Sequence, residues 1–351
     1  MSMTETSTAV NPAPATTPPV PAPPVASPPL VIAAPPAITT HRLTKRYGAL
    51  TALDNLDLVL EKGDVFGFIG PNGAGKSTTM KILAGLLEPT HGSAQVLGRD
   101  VMHNGDFVRR NIGYMPDFFN GYEDLTVYEY LEFFASAYSI PRQQRKRIVN
   151  DVLELTDLKY KQDALTESLS RGMTQRLSLA RVLVHDPPIL LLDEPASGLD
   201  PRARIEIREL LRELQRLGKT ILVSSHILSE LGEFCNKLGI IERGKLIVAG
   251  TVDELMQRAR VHPIISVRIA GDPRAATECL LADPRIERVE PTNGRDDETC
   301  PELLVTLRDA AMHHGFLAEL LVARQVAIHS IAPQQLKLED VFLRLTKGIV
   351  Q

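Results

Sequence analysis

Eight consecutive residues in the first third of the chain have the types and spacing of a phosphate-binding loop. They are Gly70, Pro71, Asn72, Gly73, Ala74, Gly75, Lys76 and Ser77, and Thr78 follows them. A polyphosphate has to be wrapped by backbone N–H groups, and glycines let the chain bend where side chains would collide. We expect Lys76 to bind the β- and γ-phosphates of a nucleotide and Ser77 to coordinate Mg²⁺. The alternative is a chance glycine-rich turn, and the elements on either side of the loop weigh against it.

Two carboxylates follow an apolar run further along the chain. The run Ile189 to Leu192 predicts a strand inside a parallel sheet, and Asp193 and Glu194 come directly after it. Such a strand delivers its last side chains to the edge of the sheet where ligands bind. We expect Asp193 to hold Mg²⁺ and Glu194 to act as the base for an attacking water. An ordinary exposed strand end is the weaker choice in a chain that also has a phosphate-binding loop.

A histidine occupies a similar position after a different apolar run. Thr220 to Ser225 predicts another buried strand, and His226 follows it. From there the imidazole can reach a γ-phosphate and the water that attacks it. A lone histidine is more often structural, so this assignment depends on the other residues of the site.

The elements that must position these groups alternate along the sequence. The run Val65 to Ile69 predicts a short buried strand before the loop, and a helix is predicted from about Lys76. The residues from about Tyr122 to Val184 are predicted to be helical. One further helix is predicted from an apolar stripe that ends at a glycine, formed by Ile207, Leu210, Leu211, Leu214, Leu217 and Gly218. Repeated strand–helix alternation of this kind predicts an α/β sheet.

Other parts of the chain have a different character. Leucines at 56, 58 and 60 alternate with polar or exposed positions and predict a half-buried strand, and residues 240–247 resemble a hairpin. After about Arg258, three runs look like strands with helical stretches between them: Ile264 to Ile269, Leu303 to Leu307 and Val326 to Ile331. The polar segment Pro291 to Pro301 is predicted to be a loop. Residues 1–37 are rich in proline and alanine and are predicted to be a disordered tail.

Composition limits the function classes that need to be considered. The chain has 351 residues, 44% of them hydrophobic, and a net charge of -4, which gives no reason to expect nucleic-acid binding. Its three cysteines are widely separated and fit neither a zinc site nor a disulfide framework, so we expect a reducing compartment. No stretch approaches the roughly 18 apolar residues that a transmembrane helix needs. A membrane role would therefore need a partner that supplies the span.

The segment Leu169-Ser170-Arg171-Gly172-Met173-Thr174-Gln175-Arg176 resembles the signature of the nucleotide-binding subunits of ATP-binding cassette (ABC) transporters. Other family motifs stand in the same order: Tyr47, where an aromatic ring stacks on adenine; Ser197-Gly198-Leu199-Asp200, the loop that crosses between partners; and His226, the switch histidine. The resemblance covers about residues 38–255. It implies ATP and Mg²⁺ as ligands, and ATP hydrolysis coupled to transport as the activity.

The family fold is an α/β P-loop NTPase fold with an antiparallel β subdomain and a helical subdomain. The resemblance implies that fold for a nucleotide-binding domain at 38–258, whose helical subdomain is about 117–186. We expect a small C-terminal α+β domain at 262–347. It also implies that two such subunits, identical or homologous, meet head to tail. Each ATP then lies between the phosphate loop of one subunit and Ser170, Arg171 and Gly172 of the other, where a helix begins and offers its N–H groups to an anion.

Three positions depart from the common family pattern. Arg171 stands where a second glycine is usual, Met173 stands in place of a glutamine, and Asp117 stands where a glutamine usually touches Mg²⁺. Arg171 adds positive charge near a triphosphate and is compatible with binding. Aspartate is shorter than glutamine and cannot donate a hydrogen bond when ionised, but it can reach Mg²⁺ through water. Our hypothesis is that Asp117 keeps the metal role.

The family implies a transmembrane permease as partner and a location at the cytoplasmic face of the cell (inner) membrane. The aromatic cluster of Phe118, Phe119, Tyr122, Tyr128, Tyr130, Phe133 and Phe134 is core by default, and part of it can form the socket for a permease helix. The segment Leu338-Glu339-Asp340-Val341-Phe342-Leu343 resembles bacterial subunits of exporters of drugs, lipids or polysaccharides.

Two rival functions remain at this point. A soluble ABC ATPase acting on ribosomes or DNA usually has two cassettes or a long coiled-coil insertion, and this sequence has neither. A regulatory protein that binds ATP without cleaving it is disfavoured because both Asp193 and Glu194 are present.

Overall fold

The structure is a computed structural model that describes residues 35–118, 122, 124–258, 264–292, 301–309 and 313–333. Most of the predicted tail, most of the loop predicted at Pro291 to Pro301, the exporter-like segment at 338–343 and Phe119 lie outside these residues. Ala37, at the end of the predicted tail, is buried, and its N–H donates to the Leu60 carbonyl at 2.8 Å.

Strands and helices alternate through the described residues. The strands are β1 (Ile38–Tyr47), β2 (Leu50–Leu60), β3 (Val65–Ile69), β4 (His91–Val96), β5 (Arg99–Asp100), β6 (Ile112–Met115), β7 (Ile189–Asp193), β8 (Thr220–Ser225), β9 (Lys237–Glu242), β10 (Lys245–Thr251), β11 (Ile264–Ala270), β12 (Ile286–Pro291), β13 (Glu302–Leu307) and β14 (Ala327–Pro333). The helices are α1 (Lys76–Leu83), α2 (Gly105–Asn111), α3 (Val127–Ala137), α4 (Arg142–Leu155), α5 (Arg171–Leu183), α6 (Pro201–Arg216), α7 (Leu228–Gly232), α8 (Val252–Arg258), α9 (Pro273–Leu281) and α10 (Phe316–Ala323).

The central sheet positions the residues of interest. Its strand order is β10-β9-β3-β8-β7-β6, with β9, β3, β8, β7 and β6 parallel and β10 antiparallel to β9. The strands predicted before the loop, before the two carboxylates and before the histidine are confirmed as β3, β7 and β8. They run side by side in the same direction, so the residues that follow them meet at one edge of the sheet.

A second, antiparallel sheet has the order β2-β1-β4-β5. The alternation predicted for β2 is confirmed: Leu56, Leu58 and Leu60 are buried, whereas Asp57 and Val59 are exposed. These leucines share a hydrophobic cluster with side chains of the central sheet and of α1. The phosphate-binding segment is thereby packed between two sheets.

The residues predicted to be helical between about Tyr122 and Val184 do not form one continuous run. They are divided among α3, α4 and α5. A short connection follows α3, and a longer one after α4 contains two short 3-10 helices, Lys159–Lys161 and Thr166–Ser168. Ser139 (φ 60°) and Asp157 (φ 52°) have left-handed backbones just after α3 and α4, which ends a helix. Buried side chains of all three helices join one cluster with the other face of the central sheet.

Helix α6 confirms most of its predicted stripe. Ile207, Leu210, Leu211 and Leu214 are buried, but Leu217 is 59% exposed, so its prediction was wrong. The helix ends at Arg216, and the left-handed Gly218 (φ 81°) turns the chain before Leu217 can continue the buried face.

The last described sheet has the order β12-β13-β11-β14, and its strands are all antiparallel. With α9 and α10 the chain order is β-α-β-β-α-β, a split βαβ arrangement with a hydrophobic cluster of its own. The three predicted strands are confirmed, but β12 was missed. A register shift between Ile286 and Arg288 interrupts its alternation, so its two buried residues are three apart instead of two.

Candidate nucleotide site

The predicted phosphate-binding loop lies between β3 and α1, and Gly75 is the N-cap of that helix. Gly73 and Gly75 have left-handed backbones, with φ of 79° and 112°. A Cβ on Gly75 would lie 2.7 Å from the Ala52 carbonyl oxygen, so the loop also packs too closely on β2 for any other residue. The loop therefore curves in front of the positive end of α1, where Ser77 and Thr78 lie half-buried in the first turn.

Lys76 lies between this loop and the carboxylate predicted to be the base. Its ammonium donates to the Gly70 carbonyl at 2.6 Å and the Pro71 carbonyl at 3.3 Å, and it lies 3.4 Å from Glu194 Oε1. The residue is only 5% exposed. A buried cation held by two carbonyls of the loop is suited to neutralising phosphate charge.

Ser224 holds the two carboxylates at the end of β7 and was not singled out from the sequence. Its hydroxyl donates to Asp193 Oδ1 at 2.6 Å and accepts the Glu194 N–H at 3.0 Å. The contact arises because Asp193 and Ser224 are paired in register on neighbouring parallel strands. The available signal was a polar residue near the end of an otherwise apolar strand beside β7.

Glu194 has strained backbone geometry, which was also not foreseen. Its φ is 51°, a left-handed conformation that is uncommon for residues other than glycine and tends to mark functional sites. His226 Nδ1 lies 2.8 Å from Oε2, while Oε1 is buried without a hydrogen bond among the described residues. The carboxylate is thus held between an imidazole and an ammonium, with one oxygen left to accept a proton or a hydrogen bond from water.

Asp117 lies after β6, close enough for the charges of Asp193 and Glu194 to shift its pKa. Partial burial raises its pKa, and Asp193 and Glu194 raise it further, while Arg171 and His226 lower it. Burial and the charges of Asp193 and Asp117 also raise the pKa of Tyr114. Negative groups that repel one another in this way are stabilised by a divalent cation.

The donor atoms fit Mg²⁺, which prefers oxygen ligands and usually keeps several waters. The Ser77 hydroxyl and the Asp193 carboxylate would hold the ion, and Asp117 would reach it through water. Bound Mg²⁺ would neutralise charge on the β- and γ-phosphates. The assignment of these three residues stays a prediction.

The signature residues form a separate group at the start of α5. Ser170 is the N-cap, and its hydroxyl accepts the Met173 N–H at 3.4 Å. Arg171 and Gly172 are the first two helical residues, and a Cβ on Gly172 would lie 3.3 Å from the Ala203 Cβ of α6. This helix end therefore packs on α6, and its N–H groups are available as a second anion site.

Two predicted residues lie apart from the group around Lys76. Asp200 caps α6 in its own chain by accepting the Ala203 N–H at 2.9 Å. Tyr47 is 48% exposed at the end of β1, with the Lys45 ammonium 5.2 Å from its ring centroid. Stacking of Tyr47 on adenine and contact of Asp200 with a partner stay predictions.

The fold and the geometry around Lys76 define a P-loop ATPase. The family model described as "ABC transporter" matches residues 53–197. The Nod factor export ATP-binding protein I of Ralstonia nicotianae is 36% identical over 321 residues, covering 90% of this chain and 95% of the relative. The bacitracin transport ATP-binding protein BcrA of Bacillus licheniformis is 33% identical over 312 residues, covering 89% of this chain and 97% of the relative.

Solved structures of ABC transporter cassettes also resemble this chain. A dimeric bacterial ABC transporter cassette is 27% identical, with a TM-score of 0.57 over 61% of this chain and 98% of that one. The same cassette is known as a dimer in a post-hydrolysis state with ADP and Pi, at 26% identity and the same TM-score and coverage. This chain belongs to the ATP-binding subunits of ABC transporters and is an ATPase.

Proposed function

We propose that the protein is the ATP-hydrolysing subunit of an exporter whose membrane-spanning permease is a separate chain. Two relatives that match almost its full length are named for Nod factor export and bacitracin transport. We infer a cargo of the same general kind, a drug, lipid or polysaccharide. No helix in the described part of the chain is long and apolar enough to cross a membrane. The subunit would bind the cytoplasmic face of the cell membrane through the permease.

Head-to-tail pairing of two copies around two ATP molecules is the second part of the proposal. The observation that carries it is the position of Ser170 and Gly172, which line one pocket with residues of α6 and of the loop before it. Within the described part of the chain, no residue of the phosphate loop lines that pocket. The first N–H groups of a helix have no partner within the helix. A helix end that lies away from the phosphate loop of its own chain is therefore suited to binding the ATP held by a second copy. A related cassette forms a dimer, which supports this arrangement.

Within each site the reaction is water attack on the γ-phosphate. Glu194 accepts the proton of the attacking water, and the bond between the γ-phosphorus and the bridging oxygen of ADP breaks. His226 orients Glu194 through the 2.8 Å contact. Lys76 and Mg²⁺ would neutralise the charge that remains on the phosphates, and loss of the γ-phosphate would release the partner copy.

The pairing is tested with the Glu194→Gln variant, which should bind ATP without cleaving it. Size-exclusion chromatography with light scattering should give a dimer with ATP and Mg²⁺, and a monomer with ADP. A variant that stays monomeric with excess ATP, both alone and with its permease, would refute the proposed function.

A soluble ATPase acting on ribosomes or DNA is the less favoured function. The chain has one phosphate loop and a net charge of -4, and the relatives that cover it are transport proteins. No described feature favours nucleic acid as a partner.

Asp117 gives a test of the metal site. We predict that Asp117→Ala will raise the Mg²⁺ concentration needed for half-maximal ATPase activity by about tenfold, the effect usual for loss of an indirect metal partner. Asp117→Gln, the usual family residue, should restore most of the affinity. A Mg²⁺ titration at saturating ATP measures both. An unchanged titration for Asp117→Ala would remove this residue from the metal site.

The aromatic cluster divides into core and surface residues. Tyr130 is fully buried, and its ring lies 5.0 Å from that of Phe134, so both belong to the helical core. Phe118 is 78% exposed and Phe133 is 47% exposed, and Tyr122 packs edge-on against Phe133 at 5.5 Å. Large exposed aromatic side chains are typical of protein–protein contact sites. We propose that these surface residues bind the permease.

If this surface binds the permease, a substitution in it should weaken permease binding without reducing ATP hydrolysis by the isolated subunit. Phe133→Ala should leave the ATPase activity of the isolated subunit within about twofold, because exposed substitutions are usually mild, and should reduce binding to the permease. Leu217→Ala removes a similarly exposed side chain just after the end of α6 and serves as the control. Equal permease binding by Phe133→Ala and Leu217→Ala would argue against this surface.

A further inference from the structure

One of the departures from the family pattern makes a contact that the usual glycine cannot make. The Arg171 guanidinium lies directly on Gly198 in the loop that precedes α6. A Cβ on Gly198 would lie 2.2 Å from Arg171 Cζ and Nη2, and 2.5 Å from Nη1. Gly198 also has a left-handed backbone, with φ of 65°. The flat guanidinium therefore fills the space that any side chain at position 198 would need.

Other contacts hold α5 and α6 together, but they do not reach this loop. Gly172 packs on Ala203, and Arg176 forms ion pairs with Glu206 of α6 and with Asp157, the latter at 2.9 Å. Arg171 forms no ion pair with a described residue, and its positive charge lowers the pKa of Asp117. Its contact with Gly198 links the signature directly to the loop at 197–200.

That loop begins at the carboxylate predicted to be the catalytic base. The Ser197 N–H donates to the Glu194 carbonyl at 3.0 Å, and the Leu199 N–H donates to the Ala196 carbonyl at 3.4 Å. Gly198 therefore lies in the second of two overlapping hydrogen-bonded turns, and the first of them starts at the strained backbone of Glu194. Because the two turns share Ala196 and Ser197, we expect a displacement of Gly198 to change the direction of the Glu194 carboxylate.

We propose that Arg171 is a positioning residue that, by resting on Gly198, sets the loop and the Glu194 carboxylate of its own chain. The proposal rests on the head-to-tail pair described above. ATP bound by the second copy holds the first turn of α5, which includes Arg171, in one position. Arg171 then holds Gly198 in place, together with the turns that connect Gly198 to Glu194. Each site thereby becomes most active when the other site is occupied, which is a coupling between two distinct sites.

The proposal differs from direct contact between Arg171 and the phosphates of the partner's ATP. In direct contact, Arg171 binds the ATP in the site that contains the partner's Lys76 and Glu194. In the positioning role, Arg171 orients the carboxylate in the site that contains Lys76 and Glu194 of its own chain. In a pair of copies with only one active site, the two roles therefore predict that Arg171→Ala lowers activity when it is placed in different copies.

The test uses pairs of full-length copies joined by a flexible linker, with only one active base. The reference pair joins a wild-type first copy to a second copy with Glu194→Gln. One variant pair adds Arg171→Ala to the first copy, and the other adds it to the second copy. A fourth pair has Arg216→Ala in the first copy, because this exposed arginine at the end of α6 lies outside the proposed site.

We expect Arg171→Ala in the first copy to lower kcat by about tenfold with little change in KM for ATP, as for misplacement of a reacting group. In the second copy, where Arg171 is predicted to contact the ATP of the active site, it should raise the KM for ATP and leave kcat within about twofold of the reference. Arg216→Ala should leave both kcat and KM within about twofold. A loss of kcat confined to the second-copy variant, equal losses of kcat in both, or no loss of kcat in either would each overturn the proposal. If Glu194→Gln chains fail to dimerise with ATP, the proposed function fails instead.

Discussion

Glu194→Gln is expected to reduce ATP turnover by about a thousandfold, within the range for loss of a positioned base. Glutamine has nearly the same shape as glutamate but cannot accept a proton from water. It would also end the charged interactions with His226 Nδ1 at 2.8 Å and Lys76 Nζ at 3.4 Å. ATP binding should persist, because Lys76 and the loop remain.

Turnover is measured as phosphate release at saturating ATP and Mg²⁺, and binding is measured by isothermal titration with ATP. Glu209→Gln is the matched control, since Glu209 is exposed on α6 and pairs only with Arg212 in the described part of the chain. Turnover of Glu194→Gln within twofold of the wild type would remove Glu194 as the base. Loss of ATP binding as well would indicate a structural role for this carboxylate.

Lys76→Ala is expected to weaken ATP binding by about a hundredfold, equivalent to about 3 kcal/mol, the scale of a hydrogen bond to a charged group. The ammonium is buried against the loop, so no other side chain of α1 replaces it. Lys81→Ala is the control in the same helix, because Lys81 is exposed in the last turn. Isothermal titration with ATP compares the two. Equal affinities would contradict the role of Lys76.

A complementation experiment extends this prediction to the pair. Gly172→Asp places a negative charge at the start of α5, so we expect it to exclude phosphate from the signature and to abolish turnover. Mixing Lys76→Ala chains with Gly172→Asp chains creates pairs with one intact site, formed by Lys76 of one copy and Gly172 of the other. ATPase activity should return in the mixture. A mixture as inactive as its components would contradict the head-to-tail arrangement.

The loop and the strands at the site were predictable because their signals are local. The glycines before Lys76, the apolar strand before Asp193 and the strand before His226 each lie within one short segment, and parallel strands bring their carboxyl ends to one edge. The helix start predicted at Ser170 to Gly172 was equally local, and the structure has α5 beginning at Arg171.

The errors in secondary structure arose where a short-range pattern was interrupted. Left-handed residues at Ser139 and Asp157 ended helices that the apolar pattern alone would have continued. A register shift obscured β12, and the turn at Gly218 left Leu217 exposed at the end of α6. In each case one backbone conformation outweighed the periodicity of the side chains.

Residue types and their spacing along the chain were sufficient to predict the family and the ATPase activity. They also predicted which strands precede the loop, the two carboxylates and His226, because each motif is a continuous segment with its own chemistry. The Ser224 bridge between Asp193 and the Glu194 N–H, and the Arg171 guanidinium on Gly198, join segments about thirty residues apart. Those contacts depend on strand register and helix packing, which are set by burial of the whole core and not by any local pattern.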